Sequence, residues 1–167
     1  MALIRFLPKP SDTMKSYHIL FVCLGNICRS PMAEYVLRHR AQEAGVGHRI
    51  HVDSAGTSGW HDGENMHKGT RQTLANHGID HLGFTSSKVK SGDIDHFDFI
   101  IAMDDNNLAD LERLFGKQPD KLFKLTDLIP DSGYHMVPDP WHTGDFDETF
   151  RLVDTASEAL LKKLGFI

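Results

Sequence analysis

Cysteine is nearly absent from this sequence. Cys23 and Cys28 are the only two among 167 residues, and both fall in one short stretch near the start. The disulfide frameworks of small secreted domains need more cysteines, spread along the chain. This shortage predicts a reducing compartment, so we expect the protein to be cytoplasmic.

Long apolar runs and an excess of positive charge are missing as well. No apolar segment approaches the ~20 residues of a membrane-spanning helix, and residues 1–10 lack the apolar core of a secretory signal. The formal net charge is −5 at pH 7, whereas proteins that bind nucleic acid or anionic membranes concentrate Lys and Arg. We therefore expect neither nucleic acid nor a membrane as a partner.

A metal-binding pattern is also missing, although the chain contains 11 histidines. His77 and His81 have the spacing that brings two side chains to one face of a helix. Gly78 between them argues against a continuous helix, and neither cysteine lies nearby in the sequence. The sequence therefore predicts no metal and no other cofactor.

The stretch at residues 22–31 dominates what is present. Before it, residues 17–21 form an apolar run without Asp, Glu, Lys or Arg, which predicts a buried strand. After it, Ser30 can cap a helix and Pro31 suits the first helical position. A strand, a tight loop and a helix N-terminus together point backbone N–H groups at one spot. The sequence therefore predicts an anion-binding loop here.

Two side chains give this loop a chemistry. Cys23 ends the strand beneath the positive end of the helix and near Arg29, and both features stabilise a nucleophilic thiolate. Arg29 closes the loop, and its planar guanidinium can bind two oxygens of a phosphate group. Gly25 permits a turn that a β-carbon would obstruct. The pattern indicates a cysteine-dependent phosphatase rather than a buried structural cysteine.

The rest of the chain alternates between strand and helix patterns. Strands are predicted at residues 49–53, 97–103 and 121–125, and helices at residues 67–77, after Asp104 or Asp105, and from Asp145 onward. Such alternation predicts a parallel sheet covered by helices on both faces. We expect one α/β domain at residues 16–167, in three layers, with a central four-stranded parallel sheet of the doubly wound, flavodoxin-like type. Residues 1–15 are predicted to form a poorly ordered tail.

Residues 23–31, Cys-Leu-Gly-Asn-Ile-Cys-Arg-Ser-Pro, resemble the signature of the low-molecular-weight protein tyrosine phosphatases. The distant Asp139-Pro140-Trp141 fits that family too, and the resemblance extends over nearly the whole chain from about Ser16. It implies hydrolysis of phosphotyrosine through a phosphocysteine intermediate, with Cys23 as nucleophile, Arg29 as phosphate ligand and Asp139 as general acid. It also implies a phosphotyrosine-containing protein as substrate, and we expect a monomer or a weak homodimer.

The resemblance assigns roles to the residues around the nucleophile. It implies that the phosphate-binding loop contains Leu24, Gly25, Asn26, Ile27, Cys28 and Ser30. It also implies that Ser30 donates a hydrogen bond to the Cys23 sulfur. Asn26 is expected to form a supporting polar network with Ser30, Ser54 and His77.

Further expectations concern the cleft and the second cysteine. Trp60 and Trp141 are the only tryptophans, and the resemblance places both at the rim of the substrate cleft, where they could enclose a phenyl ring. Cys28 is expected to be redox-active, because it can trap an oxidised Cys23 as a disulfide.

Three alternative functions stay open at this point. Arsenate reductases of the same fold need cysteines downstream of the loop, and this chain has none after Cys28. Protein arginine phosphatases carry a threonine where Ile27 stands, so the apolar residue favours an aryl phosphate. A non-catalytic phosphate-binding module would be expected to lose the nucleophile or the acid, and both are present. For Asp139, a purely structural role also stays open, because Asp-Pro frequently forms turns.

Overall fold

The computed structural model of the protein describes residues 15–167. Within them, four strands form one parallel sheet in the order β2-β1-β3-β4. The strands are β1 (Tyr17–Cys23), β2 (Ile50–Gly56), β3 (Phe99–Ala102) and β4 (Leu122–Lys124). The expected four-stranded parallel sheet is therefore confirmed. The tail expected for residues 1–15 lies, apart from Lys15, outside the described residues.

Helices connect the strands and cover the sheet. They are α1 (Arg29–Glu43), α2 (Lys68–Asn76), α3 (Asp93–His96), α4 (Asp105–Phe115), α5 (Pro140–Thr143) and α6 (Phe146–Lys163), with 3-10 turns at Gly47–Arg49, Leu125–Leu128 and Pro130–Ser132. None of the helices in residues 15–167 is long and apolar enough to cross a membrane. Asp145 caps α6, because its carboxylate accepts a hydrogen bond of 3.0 Å from the Glu148 amide N–H.

Side-chain alternation along β1 divides the core into two layers. Ile19 and Phe21 pack on one face of the sheet with residues of α1, α2 and α6. Leu20 and Val22 pack on the other face with residues of α4. All four side chains are almost fully buried, which explains why β1 is a continuous apolar run instead of an alternating one.

Several boundaries differ from the sequence predictions by one to three residues, and two of these differences lie at the cysteine loop. Helix α1 begins at Arg29, and its N-cap is Cys28, so Ser30 lies within the first turn and is not the cap. The reason is that the Ser30 hydroxyl faces buried polar groups of the loop instead of the helix N–H groups. Strand β2 continues to Gly56, beyond the predicted end at residue 53, because its pairing with β1 extends to Cys23.

The register of the sheet determines where functional side chains gather. Cys23 pairs with Gly56 at the carboxyl ends of β1 and β2, and Val22 pairs with Ala102 near the end of β3. The loops that follow these strands therefore meet at one edge of the sheet. In doubly wound sheets, ligands bind at this edge, where the strand order changes direction.

Candidate active site

The loop at residues 24–28 connects β1 to α1, and its backbone N–H groups are available to bind a ligand. Asn26 adopts a left-handed conformation with φ = 55°, and the Ser86 hydroxyl donates a hydrogen bond of 2.7 Å to its carbonyl oxygen. Among the described residues, none accepts a hydrogen bond from the amide N–H groups of residues 24–28. These donors, together with the N-terminus of α1, make the loop a concave site for an anion.

Two glycines allow other groups to approach this loop closely. A Cβ on Gly25 would lie 3.0 Å from His61 Cδ2. Glycine is therefore favoured here because His61 approaches closely, and not because of the turn that we expected. A Cβ on Gly56 would lie 2.8 Å from the Leu24 carbonyl oxygen. Because that neighbour is backbone, it cannot move aside, and sequence analysis did not single out Gly56.

Cys23 lies at the end of a chain of buried polar side chains. Its Sγ is 3.0 Å from Ser30 Oγ. The Asn26 side-chain amide donates to Ser30 Oγ at 2.8 Å and to Ser54 Oγ at 3.0 Å, and Ser54 in turn donates to Glu34 Oε1 at 2.7 Å. The structure thus brings together Asn26, Ser30 and Ser54, and it adds Glu34, which was not among the residues expected from the sequence.

His77 is not part of this network, which corrects the expectation for that residue. It is the C-cap residue of α2, and its ring stacks on Phe150 of α6 with centroids 3.7 Å apart and an interplanar angle of 9°. The stacking holds the imidazole between two helices. The network continues from Ser54 to the Glu34 carboxylate, and not to a histidine.

Arg29 is 3% exposed and is fixed by two acceptors. One terminal nitrogen, Nη1, donates to Asp104 Oδ2 at 2.8 Å and to the Val137 carbonyl oxygen at 2.9 Å. From the sequence, Asp104 was expected only at the start of a helix, where it can act as the cap. It has that role as well, because its Oδ1 accepts a hydrogen bond of 2.7 Å from the Asn107 amide N–H. Its place directly after β3 was a signal for a second role, since strand ends face the site.

Asp139 comes to the same site from the far end of the chain. Its Oδ2 lies 3.6 Å from Arg29 Nη2. Its Oδ1 accepts a hydrogen bond of 3.0 Å from the Trp141 amide N–H, which caps α5. Asp139 and Cys23 line one cavity. The Asp-Pro pair therefore begins a short helix and also presents a carboxylate to the cleft.

Aromatic side chains form the mouth of this cavity. Its lining comprises Cys23, Leu24, Gly25, Ile27, Cys28, Arg29, Trp60, His61, Asp139, Trp141 and His142. Trp60 and Trp141 are 75% and 58% exposed, an unusual state for such large apolar surfaces. His61 is the addition that sequence analysis missed. Its Nδ1 lies 2.9 Å from Glu64 Oε2, and its ring lies beside Trp141.

Cys28 is the buried last residue of the loop, and its thiol is harder to ionise than an ordinary cysteine. Burial, together with the nearby Cys23 and Asp139, raises the pKa of the Cys28 thiol to about 12. Both cysteines are free. Nowhere in residues 15–167 are three His, Cys, Asp or Glu side chains grouped so that they could hold a metal ion.

Comparisons with known proteins agree on one family. The sequence model described as low molecular weight phosphotyrosine protein phosphatase matches residues 18–165. The low molecular weight protein-tyrosine-phosphatase YfkJ of Bacillus subtilis is 44% identical over 147 residues, which cover 87% of this chain and 94% of the relative. A low molecular weight protein-tyrosine-phosphatase of Streptomyces coelicolor is 40% identical over 152 residues, covering 87% and 92%.

Solved structures have the same fold. The crystal structure of YfkJ from Bacillus subtilis matches with a TM-score of 0.86 and 42% identity, covering 90% of this chain and 96% of that one. The crystal structure of a protein tyrosine phosphatase from Entamoeba histolytica, with Hepes in the active site, matches with a TM-score of 0.83 and 33% identity, covering 90% and 97%. The chain therefore belongs to the low molecular weight phosphotyrosine protein phosphatase family.

Proposed function

We propose that this phosphatase hydrolyses phosphotyrosine in proteins through a phosphocysteine formed on Cys23. The observation that supports this proposal most is one cavity that contains a buried thiol, a fixed guanidinium and a carboxylate. Cys23, Arg29 and Asp139 all line it. Phosphoryl transfer needs a nucleophile, a group that stabilises the charge on the phosphoryl oxygens, and a proton donor for the leaving oxygen.

In the first step, the Cys23 thiolate attacks phosphorus in line with the leaving phenol oxygen. An S–P bond forms, the P–O bond to the aryl group breaks, and Asp139 gives its proton to the departing oxygen. The free N–H groups of residues 24–28 and the Arg29 guanidinium hold the three remaining oxygens. Because these donors are in place before the reaction, little reorganisation is needed as charge develops.

In the second step, a water molecule attacks the phosphocysteine. Asp139, now ionised, accepts a proton from that water as the new P–O bond forms and the S–P bond breaks. The Cys23 sulfur leaves as a thiolate, and the hydrogen bond between Cys23 and Ser30 (3.0 Å) stabilises this negative charge. Inorganic phosphate is released, and both residues return to their starting protonation states.

The cleft walls support an aryl substrate over phosphoarginine. Trp60 and Trp141 stand at the mouth, and Ile27 is an apolar lining residue. A phenyl ring can stack between such walls and be buried there. A guanidinium group would need hydrogen-bond acceptors, and the only carboxylate that lines this cavity among the described residues is Asp139.

Two further properties belong to the same proposal. We expect the enzyme to be cytoplasmic and sensitive to oxidation, with Cys28 trapping an oxidised Cys23 as a disulfide. The scarcity of cysteine elsewhere supports the first expectation, and the presence of two free thiols in one loop supports the second. We also expect a monomer or a weak homodimer that needs neither nucleic acid nor a membrane as partner.

Replacing the nucleophile tests the proposed function directly. Cys23→Ser should have no measurable turnover on a phosphotyrosine peptide, yet it should still bind inorganic phosphate in calorimetry, because the loop amides and Arg29 remain. Arg29→Lys should also be severely impaired, since an ammonium group cannot bind two oxygens as a planar fork does. Retention of a tenth of the wild-type activity by Cys23→Ser would refute the nucleophile assignment. Parallel assays on phosphoarginine and arsenate test the two alternative enzymes.

A further inference from the structure

Glu34 is a buried carboxylate that the proposed reaction does not use. It is 5% exposed and lies in α1, where it accepts hydrogen bonds from Ser54 (2.7 Å) and from the Arg38 guanidinium (2.6 Å). Burial raises the pKa of the Glu34 carboxyl, while the hydrogen bonds from Ser54 and Arg38 act in the opposite direction. A buried charge of this kind is costly, so its contacts call for a functional explanation.

The hydrogens of Asn26 can be assigned individually. The Ser87 amide N–H donates to Asn26 Oδ1 at 2.9 Å, which establishes which end of the side-chain amide is oxygen. The opposite end, Nδ2, carries two hydrogens, and its two neighbours are Ser30 Oγ and Ser54 Oγ. Both hydrogens of Nδ2 are therefore in use, and both serine oxygens act as acceptors toward Asn26.

Each serine must then donate its own hydrogen to a different group. For Ser54 the acceptor is Glu34 Oε1. For Ser30 the choice lies between Cys23 Sγ at 3.0 Å and the Ala55 carbonyl oxygen at 3.5 Å. The longer contact is at the limit of a hydrogen bond, so the Ser30 hydrogen points at the sulfur.

We propose that Glu34 is a positioning residue whose carboxylate, together with the Ser87 amide N–H, fixes the direction of this chain of hydrogen bonds and thereby keeps Ser30 a donor to Cys23. The proposal rests on the proposed function, in which Cys23 is the nucleophile. A carboxylate can only accept, so Ser54 must donate to it. Ser54 then remains an acceptor for Asn26, and the same order holds along the chain to the sulfur.

The contact with Arg38 allows the Glu34→Gln substitution to test the direction of these hydrogen bonds. The guanidinium can only donate, and it lies 2.6 Å from Glu34 Oε2. A glutamine amide would therefore turn its oxygen to Arg38 and its NH₂ group to Ser54. Ser54 would face two donors, and its own hydrogen would have no acceptor unless the Asn26 amide reversed. Reversal would in turn redirect the Ser30 hydrogen from the sulfur to Asn26.

The test measures alkylation of Cys23 by iodoacetamide as a function of pH, with the labelled cysteine identified by mass spectrometry. In Glu34→Gln, the midpoint of the rate–pH curve should move about one pH unit upward, the size expected for the loss of one hydrogen bond to the thiolate. A role in folding alone would not move this midpoint. Glu158→Gln is the matched control, because Glu158 pairs with Arg40 on the surface and away from the loop. Its midpoint should equal that of the wild type.

A double-mutant cycle with Ser54 decides whether Glu34 acts through the chain. Without the Ser54 hydroxyl, Glu34 has no connection to Asn26, so Glu34→Gln should shift the midpoint no further in a Ser54→Ala background. An unchanged midpoint in Glu34→Gln, or the same shift with and without Ser54, would overturn the proposal. If Glu34→Gln does not fold, Ser54→Ala alone decides, because it must move the midpoint upward. A shifted midpoint in an enzyme whose Cys23→Ser variant stays active would reject the proposed function, although it would still show that Glu34 controls the hydrogen bond to Cys23.

Discussion

The Arg29 guanidinium is held by Asp104, because Arg29 Nη1 donates a hydrogen bond of 2.8 Å to Asp104 Oδ2. Arg29 is almost fully buried, and a buried cation of this kind requires a charged partner. Asp104 provides that charge from the end of β3. Arg29, the proposed phosphate-binding group, is therefore oriented before substrate arrives, which lowers the entropic cost of binding.

Asp104→Asn should lower kcat/KM about tenfold, because a neutral amide replaces the charge-assisted hydrogen bond to Arg29 and about 1.4 kcal/mol corresponds to a factor of ten. Folding should hardly change, since asparagine caps a helix as well as aspartate does. Steady-state kinetics on an aryl phosphate measure the effect. Asp105→Asn is the control, because Asp105 pairs with Lys124 instead of Arg29. An equal loss in both variants would contradict a role for Asp104 in holding Arg29.

His77→Ala should lower the free energy of unfolding by about 0.5–1.5 kcal/mol, the range for an aromatic pair, because His77 stacks on Phe150 at 3.7 Å. Neither kcat nor KM should change, since the ring has no contact with the loop network. Urea unfolding and steady-state kinetics on the same preparations test both statements. Ser54→Ala gives the comparison, because it removes an acceptor of Asn26 and should reduce kcat. A similar fall in kcat for His77→Ala would show that His77 does support the loop network.

Local sequence patterns were sufficient to predict most of the fold. The strand, loop and helix at residues 17–43 are encoded by neighbours in the chain: an apolar run, a short loop and a helical repeat. The parallel order followed from the alternation of strands and helices. The boundaries of α1 and β2 were wrong by a few residues, because pairing with a neighbouring strand and buried polar contacts decide them, and neither is local.

The site could be predicted only where its residues lie within one motif. Asp104 and Arg29 are 75 positions apart, and no local sequence pattern predicts a contact between them. Glu34 and Ser86 have the polar side chains that also occur on solvated surfaces, so their burial is visible only after the chain has folded. His77 was assigned to the network by resemblance, and the direction in which a residue faces at a helix end depends on the neighbouring helix.

The raised pKa of Cys28 sets the pH dependence of its proposed redox role. Because this pKa is about 12, the thiol is protonated at neutral pH, and only its thiolate attacks oxidised sulfur. After a short pulse of peroxide, the rate of disulfide formation between Cys23 and Cys28 should rise about tenfold for each pH unit between pH 7 and 9. Quenching with a thiol label at timed intervals, followed by mass spectrometry, measures this rate.

The same experiment on Cys28→Ser shows whether the disulfide protects the enzyme. Without a trapping thiol, Cys23 should be over-oxidised beyond the sulfenic acid, which dithiothreitol cannot reverse. The fraction of activity recovered after dithiothreitol should therefore be lower in Cys28→Ser than in the wild type, with the larger difference at pH 9. Equal recovery in both proteins at each pH would show that Cys28 gives no protection.

Asp139→Asn should slow the cleavage of phosphotyrosine more than that of aryl phosphates with acidic phenols. Tyrosine is a poor leaving group, because its phenol has a pKa of about 10, and general acid catalysis is worth about a hundred- to ten-thousand-fold. Asparagine keeps the cap on α5, since it can still accept the hydrogen bond from the Trp141 amide N–H that Asp139 accepts at 3.0 Å. Asp145→Asn is the matched control, because Asp145 caps α6 in the same way and does not line the cavity.

The measurement must separate cleavage from the second step, because Asp139 is also proposed to activate the water that attacks the phosphocysteine. Burst kinetics with a series of phenols report the cleavage rate alone. In the wild type this rate should depend weakly on the acidity of the phenol, since Asp139 protonates the departing oxygen. In Asp139→Asn the dependence should become steep, because the oxygen leaves as an anion. Equal slowing across the series, with an unchanged slope, would show that Asp139 is not the acid.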